Sequence, residues 1–385
     1  MKDIEQLKSL WKSLFGDTEA FISLFFHEVV REENIRVLEE KGRILSALYM
    51  LPYPFRIWNQ EVTASYISGA GTLPEAQGRG LMRRLLIDSF KEMEHRQIPL
   101  SILIPAEPWL YGFYEKSGYA TVFAYNQQVY PPKEQRLEED ALVMEQYSIS
   151  DLGDSFLQKR EDLMDACFSY FDQRLRERNA CILHPYTNFR TIVHDYAISD
   201  GQIWVALNSE HTPVGIIFTV PAGGSSFVAK ELVADSEEVK EVLLRTALNH
   251  YHASSGIYRT VVPHTSPTAD SSAIAAAASI GTSEFVSNAS SEEGQTIPFG
   301  MARIIDAYKV LSMWAAVNPE RRMIIHLSDP LLTNNNGSYC IESGKCYKTT
   351  INEHIHAFEV LTMDIGQLAH FLIYPEQPFM SLMFD

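Results

Sequence analysis

Between Met82 and Met93 the apolar positions Met82, Leu85, Leu86, Ser89, Phe90 and Met93 fall at i, i+3, i+4, i+7, i+8 and i+11. That is one stripe of an amphipathic helix beginning at Leu81, with Arg83, Arg84, Asp88 and Lys91 turned toward water. Just upstream, Tyr66 to Thr72 is uncharged and opens on β-formers, and Pro74 cannot continue a ladder, so a strand is predicted to stop there. Between strand and helix stands Gln77-Gly78-Arg79-Gly80. Residues 1–30 predict two helices, the second capped by Asp17 ahead of Ala20, Phe21, Leu24 and Phe25. Strand-like runs follow at Ile35 to Leu38, Arg43 to Met50, Phe55 to Trp58 and Val62 to Thr72. Beyond the helix, Pro99 precedes a compact strand, Leu100 to Ile104, and then the segment PAEPWLYGFYEKSGYATV. This α/β order places a ligand at the carboxyl ends of the central strands.

After the polar connector PPKEQRLEED the pattern starts again. A helix is predicted over Leu152 to Glu177, with strands near Ile203 to Leu207, Pro213 to Val220 and Lys230 to Val233. A helix from Ser236 to His252 and a strand at Ile257 to Val262 complete an echo of the first unit, which reads as a diverged internal repeat. A Ser/Ala-rich stretch, 264–297, leads into a third pattern. This comprises helix Ala307 to Ala316, strand Met323 to Leu327, hairpin Ser338 to Ile351, strand Ala357 to Thr362 and helix Asp364 to Phe371. Three units are therefore expected, at 1–138, 139–296 and 297–385.

Composition fits a globular protein, at 46% hydrophobic and 21% charged residues among 385. The net charge of −17 argues against nucleic-acid backbones and anionic membranes as partners and suits a cationic substrate. The start, MKDIEQLKSLWKSL, reads as a charged amphipathic helix, and no apolar run approaches the roughly 20 residues needed to span a bilayer. Cys167, Cys181, Cys340 and Cys346 show no CxxC spacing, so neither zinc nor a redox motif is indicated. Cys340 and Cys346 could face each other across a hairpin, but free thiols are expected for a cytoplasmic protein. His354 and His356 share one face of a predicted strand without an evident third ligand, so no metal is expected.

The chemistry concentrates in two places. Gln77 to Met82 lies at a helix N-terminus, where glycines let backbone N–H groups converge and the dipole adds positive potential; Arg79 adds charge. This suits phosphate oxygens, yet no Gly-Lys-Ser/Thr follows, and no GxGxxG with an acid about 20 residues on is present. The second place is the aromatic run with Tyr111, Tyr114 and Tyr119, which as it stands suits core packing as well as chemistry. In the second unit the turn equivalent to Gln77–Met82 carries Asp235, Glu237, Glu238 and Glu241 and no glycine, which would repel a pyrophosphate.

Gln77-x-x-Gly80 resembles motif A of the GNAT acetyltransferases, with Met82 where Gly or Ala is usual. FYEKSGYA resembles the short tyrosine helix that follows it in that family. With FGMARIIDAYKVL and IIHLSDPLLTNNNGSYCI, the whole chain resembles the Eis (enhanced intracellular survival) family. The resemblance implies an α/β (α+β) protein of tandem GNAT folds, the second degenerate, followed by a sterol-carrier-protein-like domain. It further implies an N-acetyltransferase that takes acetyl-CoA as co-substrate, without metal. Gly71, Thr72 and Leu73 would line its pantetheine, and Gln77, Gly78, Arg79, Gly80, Leu81 and Met82 its pyrophosphate. Tyr119 would be the general acid, with Tyr114 as runner-up, and the carboxylate of Asp385 the general base. Relatives end in an aromatic residue, whereas this chain ends Met383-Phe384-Asp385. The acceptor would be a primary amine of an aminoglycoside- or polyamine-like molecule or a lysine, and the protein a homo-oligomer, hexameric in the best-known branch. The competing reading is a non-catalytic acyl-CoA or lipid carrier.

Overall fold

The computed structural model describes residues 3–130, 147–223, 225–262, 296–349 and 358–384. His354, His356 and Asp385, the connector PPKEQRLEED and the Ser/Ala-rich stretch as far as residue 295 lie outside the described residues.

The first unit opens with helices α1 (Ile4–Phe15) and α2 (Glu19–Leu24). Thr18, not Asp17, caps α2, its hydroxyl accepting from the Phe21 N–H at 3.2 Å. Asp17 is occupied elsewhere, accepting from the Trp11 indole N–H at 2.7 Å. Strands β1 (Ile35–Glu40), β2 (Arg43–Ile57) and β3 (Gln60–Thr72) form an antiparallel meander. Helix α3 (Leu81–His95) then leads to β4 (Leu100–Leu103), parallel to β3, and α4 (Pro108–Glu115) leads to β5 (Ala120–Tyr130). The stripe expected on α3 is the buried one, Leu85, Leu86, Ser89, Phe90 and Met93 being buried with Leu81.

One strand, β2, runs through Pro52 and Pro54, where two separate runs were expected. The Pro54 carbonyl accepts from the Leu183 N–H at 2.8 Å, on the side of β2 away from β3. A residue's N and O point to the same side of a strand and Pro52 shares the parity of Pro54. Neither missing donor therefore falls in the ladder to β3, and β1 ends its pairing at Tyr49.

The second unit repeats the order. After β6 (Ser148–Asp151) the expected single helix is two, Leu152–Leu157 and Glu161–Arg176, broken where Lys159 takes a positive φ of 58°. Strand β7 (Cys181–Ile182) and helix Tyr186–Ala197 follow, neither anticipated. Then come β8 (Gln202–Leu207), β9 (Pro213–Ala222), β10 (Ser226–Ala234), helix Glu237–His250 and β11 (Ser255–Thr260). β10 and β11 are parallel, as β3 and β4 are. β11 pairs antiparallel with β5, so the two units share one sheet.

A strand from the third unit, β12 (Thr296–Ile304), lies between β4 and β5 and pairs antiparallel with both. The sheet order among the described residues is β1-β2-β3-β4-β12-β5-β11-β10-β9-β8-β6, with β7 on β2. The rest of the third unit is helix Ala307–Val317, a second sheet and helix Ile365–Ile373. That sheet, in the order β15-β14-β13-β16, contains β13 (Met323–Ser328), β14 (Gly337–Glu342), β15 (Lys345–Thr349) and β16 (Glu359–Asp364). Cys340 pairs with Tyr347 and Cys346 with Ile341, so adjacent-residue alternation puts the two thiols on opposite faces of the hairpin rather than facing each other. All four cysteines are free. Among the described residues no helix is long and apolar enough to cross a membrane.

Candidate active site

The site begins as a fork in the sheet. β3 pairs with β4 only at Ala64, Ser65 and Tyr66, opposite Leu100, Ser101 and Ile102, yet β3 continues to Thr72. What turns it away is a bulge: Ser68 faces Tyr49 and Gly71 faces Ala47, one residue more on β3 than on β2. Gly69 sits in the bulge with φ 54°, and a Cβ there would stand 2.2 Å from the Trp11 ring, so both the backbone and α1 require glycine. From Ile67 onward β3 has no strand pairing on its β4 side among the described residues.

At the far end of that edge lies the glycine turn. Gln77, Gly78, Arg79 and Gly80 are exposed, Gly78 and Gly80 have φ of 74° and 70°, and Gly80 is the N-cap of α3. No side chain caps the helix, so the N–H groups of its first turn, at Leu81 and Met82, point to an open surface. The Arg79 guanidinium is paired with Glu40, which reduces the free charge it brings to the turn. Thr72 accepts from the Gln77 amide at 3.3 Å. The Leu73 N–H is spent on the Leu45 carbonyl at 2.9 Å, and its own carbonyl accepts from Ala76 at 2.9 Å. Gly71 is held through its carbonyl by the Ser46 hydroxyl at 3.0 Å.

Both tyrosines reach the fork from the α3–α4 side. Tyr119 is fully buried, its hydroxyl 2.6 Å from Ser101 Oγ, and Ser101 in turn lies 3.4 Å from the Ser65 carbonyl. The Ser65 hydroxyl beside it is buried with no partner among the described residues. Tyr114 packs edge-on to Tyr119 with ring centroids 5.7 Å apart, and its hydroxyl has no partner among the described residues. Burial pushes Tyr114 up to about 12 and Tyr119 above the ordinary phenol range, against the weaker pull of Ser101 and Arg303. Each therefore holds its proton at neutral pH. Tyr111 is turned away, donating to the Pro298 and Phe299 carbonyls at 3.2 Å.

From the other side of the sheet comes the end of the chain. The Phe384 carbonyl accepts from Ser68 Oγ at 2.7 Å, at the bulge itself, and Met380, Met383 and Phe384 are buried. Spacing gave no sign of Ser68 or Ser101, which lie in ordinary strand sequence. The apolar run Phe379–Phe384 was the only signal that the tail is buried.

The corner carrying Tyr119 is braced by β12. Arg303, wholly buried, donates from Nη1 to the Ser117 carbonyl at 2.7 Å, lies 4.5 Å from the Phe90 ring centroid and reaches both oxygens of buried Asp329 from Nη2, at 2.8 and 2.7 Å. Asp329 also accepts from the Leu331 and Leu332 N–H groups and from Asn335. In the second unit the acidic turn is closed: Ser236 caps its helix, and Asp235 binds Arg174 at 2.6 Å and Tyr170 at 2.7 Å. Among the described residues no three His, Cys, Asp or Glu side chains are grouped to hold a metal.

Residues 1–122 match the family model described as an acetyltransferase (GNAT) domain. The first unit is thus a GNAT acetyltransferase domain, and the chain carries the fold of an N-acetyltransferase in its N-terminal third. No curated protein matches the sequence. Among solved structures, a GCN5-related N-acetyltransferase from Anabaena variabilis is 17% identical with a TM-score of 0.67, over 98% of this chain and 96% of that one. A probable N-acyltransferase from Enterococcus faecalis is 15% identical with a TM-score of 0.65, over 95% and 86%. Eis1 from Mycobacterium abscessus is 12% identical with a TM-score of 0.63, over 97% and 88%. At these identities the likeness is one of fold, and it extends across all three units.

Proposed function

We propose that the chain transfers the acetyl group of acetyl-CoA to a primary amine of a cationic small molecule, aminoglycoside- or polyamine-like, or of a lysine side chain. The observation that carries this reading is the fork between β3 and β4, with the Tyr119 hydroxyl on Ser101 at its paired end and the Phe384 carbonyl on Ser68 where β3 has left β4. The free N–H groups at Leu81 and Met82 suit the pyrophosphate, and the edge leading to Gly71 and Thr72 suits the pantetheine. Leu73, whose N–H and carbonyl are both engaged, contributes side-chain packing. The three-unit, Eis-like arrangement with a sterol-carrier-like third domain belongs to the same reading, supported by the fold shared with Eis1.

In this mechanism a carboxylate of Asp385 takes one proton from the substrate ammonium, and the freed amine attacks the thioester carbonyl carbon. As the C–N bond forms and the C–S bond breaks, Tyr119 protonates the departing thiolate. The second proton leaving nitrogen replaces the one Tyr119 gave, and Ser101, in contact with the Tyr119 hydroxyl, is placed to pass it. The negative net charge draws a cation toward the site. The test is thiol release from acetyl-CoA with a panel of amines. Tyr119→Phe should lower kcat about 10²-fold or more while acetyl-CoA still binds. Full activity in Tyr119→Phe with collapse in Tyr114→Phe would move the acid to Tyr114, whose hydroxyl is unpartnered. Tight acetyl-CoA binding without thiol release for any amine would instead favour the carrier reading.

A further inference from the structure

The second unit has kept the fork of the first without its glycine turn. β10 pairs with β11 from Ser226 to Ala229 and then bulges, Ala229 facing Thr219 and Glu231 facing Phe218, with Lys230 the extra residue. Glu231 follows its bulge whereas Ser68 precedes the one in the first unit, but each stands two residues beyond the last pair with the neighbouring parallel strand, Ala229 here and Tyr66 there. Its carboxylate is completely buried and forms a bidentate pair with Arg178 at 2.8 and 3.0 Å. It also accepts from Ser381 Oγ at 2.6 Å. Burial alone would raise the Glu231 pKa, but Arg178 and Ser381 hold it below the usual carboxylate range, so the group is charged when it receives Ser381. Three residues later, after Leu382 has reversed the backbone with φ 53°, the Phe384 carbonyl is received by Ser68.

We propose that the second unit's role in catalysis is to position the tail: Glu231, charged by Arg178, fixes Ser381 so that Phe384 arrives at the bulge of the first unit. The same segment of chain is thus gripped twice within four residues, at Ser381 by the second unit's fork and at Phe384 by the first unit's. Further contacts fix its height. The Arg178 guanidinium lies 4.2 Å from the Phe379 ring centroid, and Phe379 exchanges backbone bonds of 3.0 Å with Ala180 and Ile182. A surface tail needs none of this. Burying a carboxylate and a guanidinium is costly unless each is fully paired, and the pair is completed here by a residue of the tail. The non-glycine left-handed residue at Leu382 is a second cost, sustained only where the surroundings hold it. Glu231 and Arg178 touch no reacting atom; they are positioning residues, and their effect on turnover rests on the acetyl-transfer reading above.

The experiment uses the full chain and two readouts. Ser381→Ala removes one hydroxyl and leaves the Arg178–Glu231 pair intact, so folding is retained; Glu231→Gln is the harsher companion, and Ser381→Thr the rescue. Ser381→Ala should speed amide hydrogen exchange at Met383 and Phe384. It should also lower kcat about 10- to 100-fold, the effect of about 1 Å of misplacement, with KM for acetyl-CoA unchanged. Ser381→Thr should restore both. Deleting Asp385 should add little in the Ser381→Ala background, because the two changes remove one interaction. Fast exchange with undiminished kcat, or full additivity, would overturn the positioning role and leave acetyl transfer standing. Unchanged exchange would overturn the clamp. A wild-type protein that releases no thiol with any amine refutes the acetyl-transfer reading instead, and the exchange measurement still decides whether Glu231 holds the tail.

Discussion

Asp329→Asn changes almost no volume and removes one charge from a pair in which neither side chain is exposed. In the native protein the Asp329 oxygens accept from Arg303 Nη2 at 2.8 and 2.7 Å, from Leu331 and Leu332 at 3.0 and 3.2 Å and from Asn335 at 2.9 Å. An asparagine oxygen at the Oδ1 position keeps the two backbone bonds. Its NH₂ then confronts two donors, Arg303 and Asn335, and the guanidinium, whose Nε is already without a partner among the described residues, is left with an uncompensated charge. Removing one partner of a buried pair costs about 3–5 kcal/mol, whereas replacing both by apolar groups is often neutral. For a chain of this size that loss corresponds to a fall in thermal midpoint of about 4–6 °C. Differential scanning of wild type, Asp329→Asn, Arg303→Met and the double variant tests it: the double variant should be more stable than Asp329→Asn alone. A loss below about 1 kcal/mol in Asp329→Asn, or strict additivity in the cycle, would refute the reasoning. Because Arg303 also carries the Ser117 carbonyl, the same variant should lower turnover by loosening the corner before Tyr119.

Two further outcomes follow from single positions. Gly69→Ala must place a Cβ 2.2 Å from the Trp11 ring at φ 54°; strain and overpacking together should cost about 2–4 kcal/mol, read as a lowered urea midpoint, and a neutral result would mean that the bulge relaxes freely. Asp195 is pushed up to about 6 by burial, with Asp17 adding to the shift and His194 opposing it. The folded protein thus binds this proton more tightly than the unfolded chain, so the buried charge weakens the fold above about pH 6 and the penalty fades as pH falls toward 4. Asp195→Asn should raise the midpoint at pH 8 by an amount worth at most about 3 kcal/mol and make no difference below about pH 4; an equal effect at both pH values would exclude titration as the cause.

Local elements were legible wherever one physical requirement dominated a stretch of sequence. The α3 stripe had a single face to bury, and Gly78 and Gly80 announced a backbone that other residues resist. The prolines of β2 misled because their cost depends on which edge is paired, a fact fixed by β7 more than 120 residues away. Helix Tyr186–Ala197 carries its own signs, Pro185 ahead of Phe189, Ile192, Val193 and Tyr196 at helical spacing. What no local pattern could carry was partnership at long range: that β12 would enter the first unit's sheet, that Glu231 would receive Ser381, or that Phe384 would end at Ser68. Such pairings are decided by complementarity between distant surfaces, and a buried glutamate in an apolar strand was their only trace.

The interleaving of β12 sets the timetable on which the first unit is completed. When β5 has been synthesised, β4 and β5 are both present but are not neighbours in the finished sheet; the strand that separates them is made more than 150 residues later, and the segment that meets Ser68 about 250 residues later. At about 5–20 residues per second the ribosome leaves the nascent domain with two unpaired strand edges for about 10–35 s. A gene shortened to the residues that carry the chemistry would make that state permanent. The sheet that carries the first unit is therefore complete only when residues from the far end of the described chain have joined it.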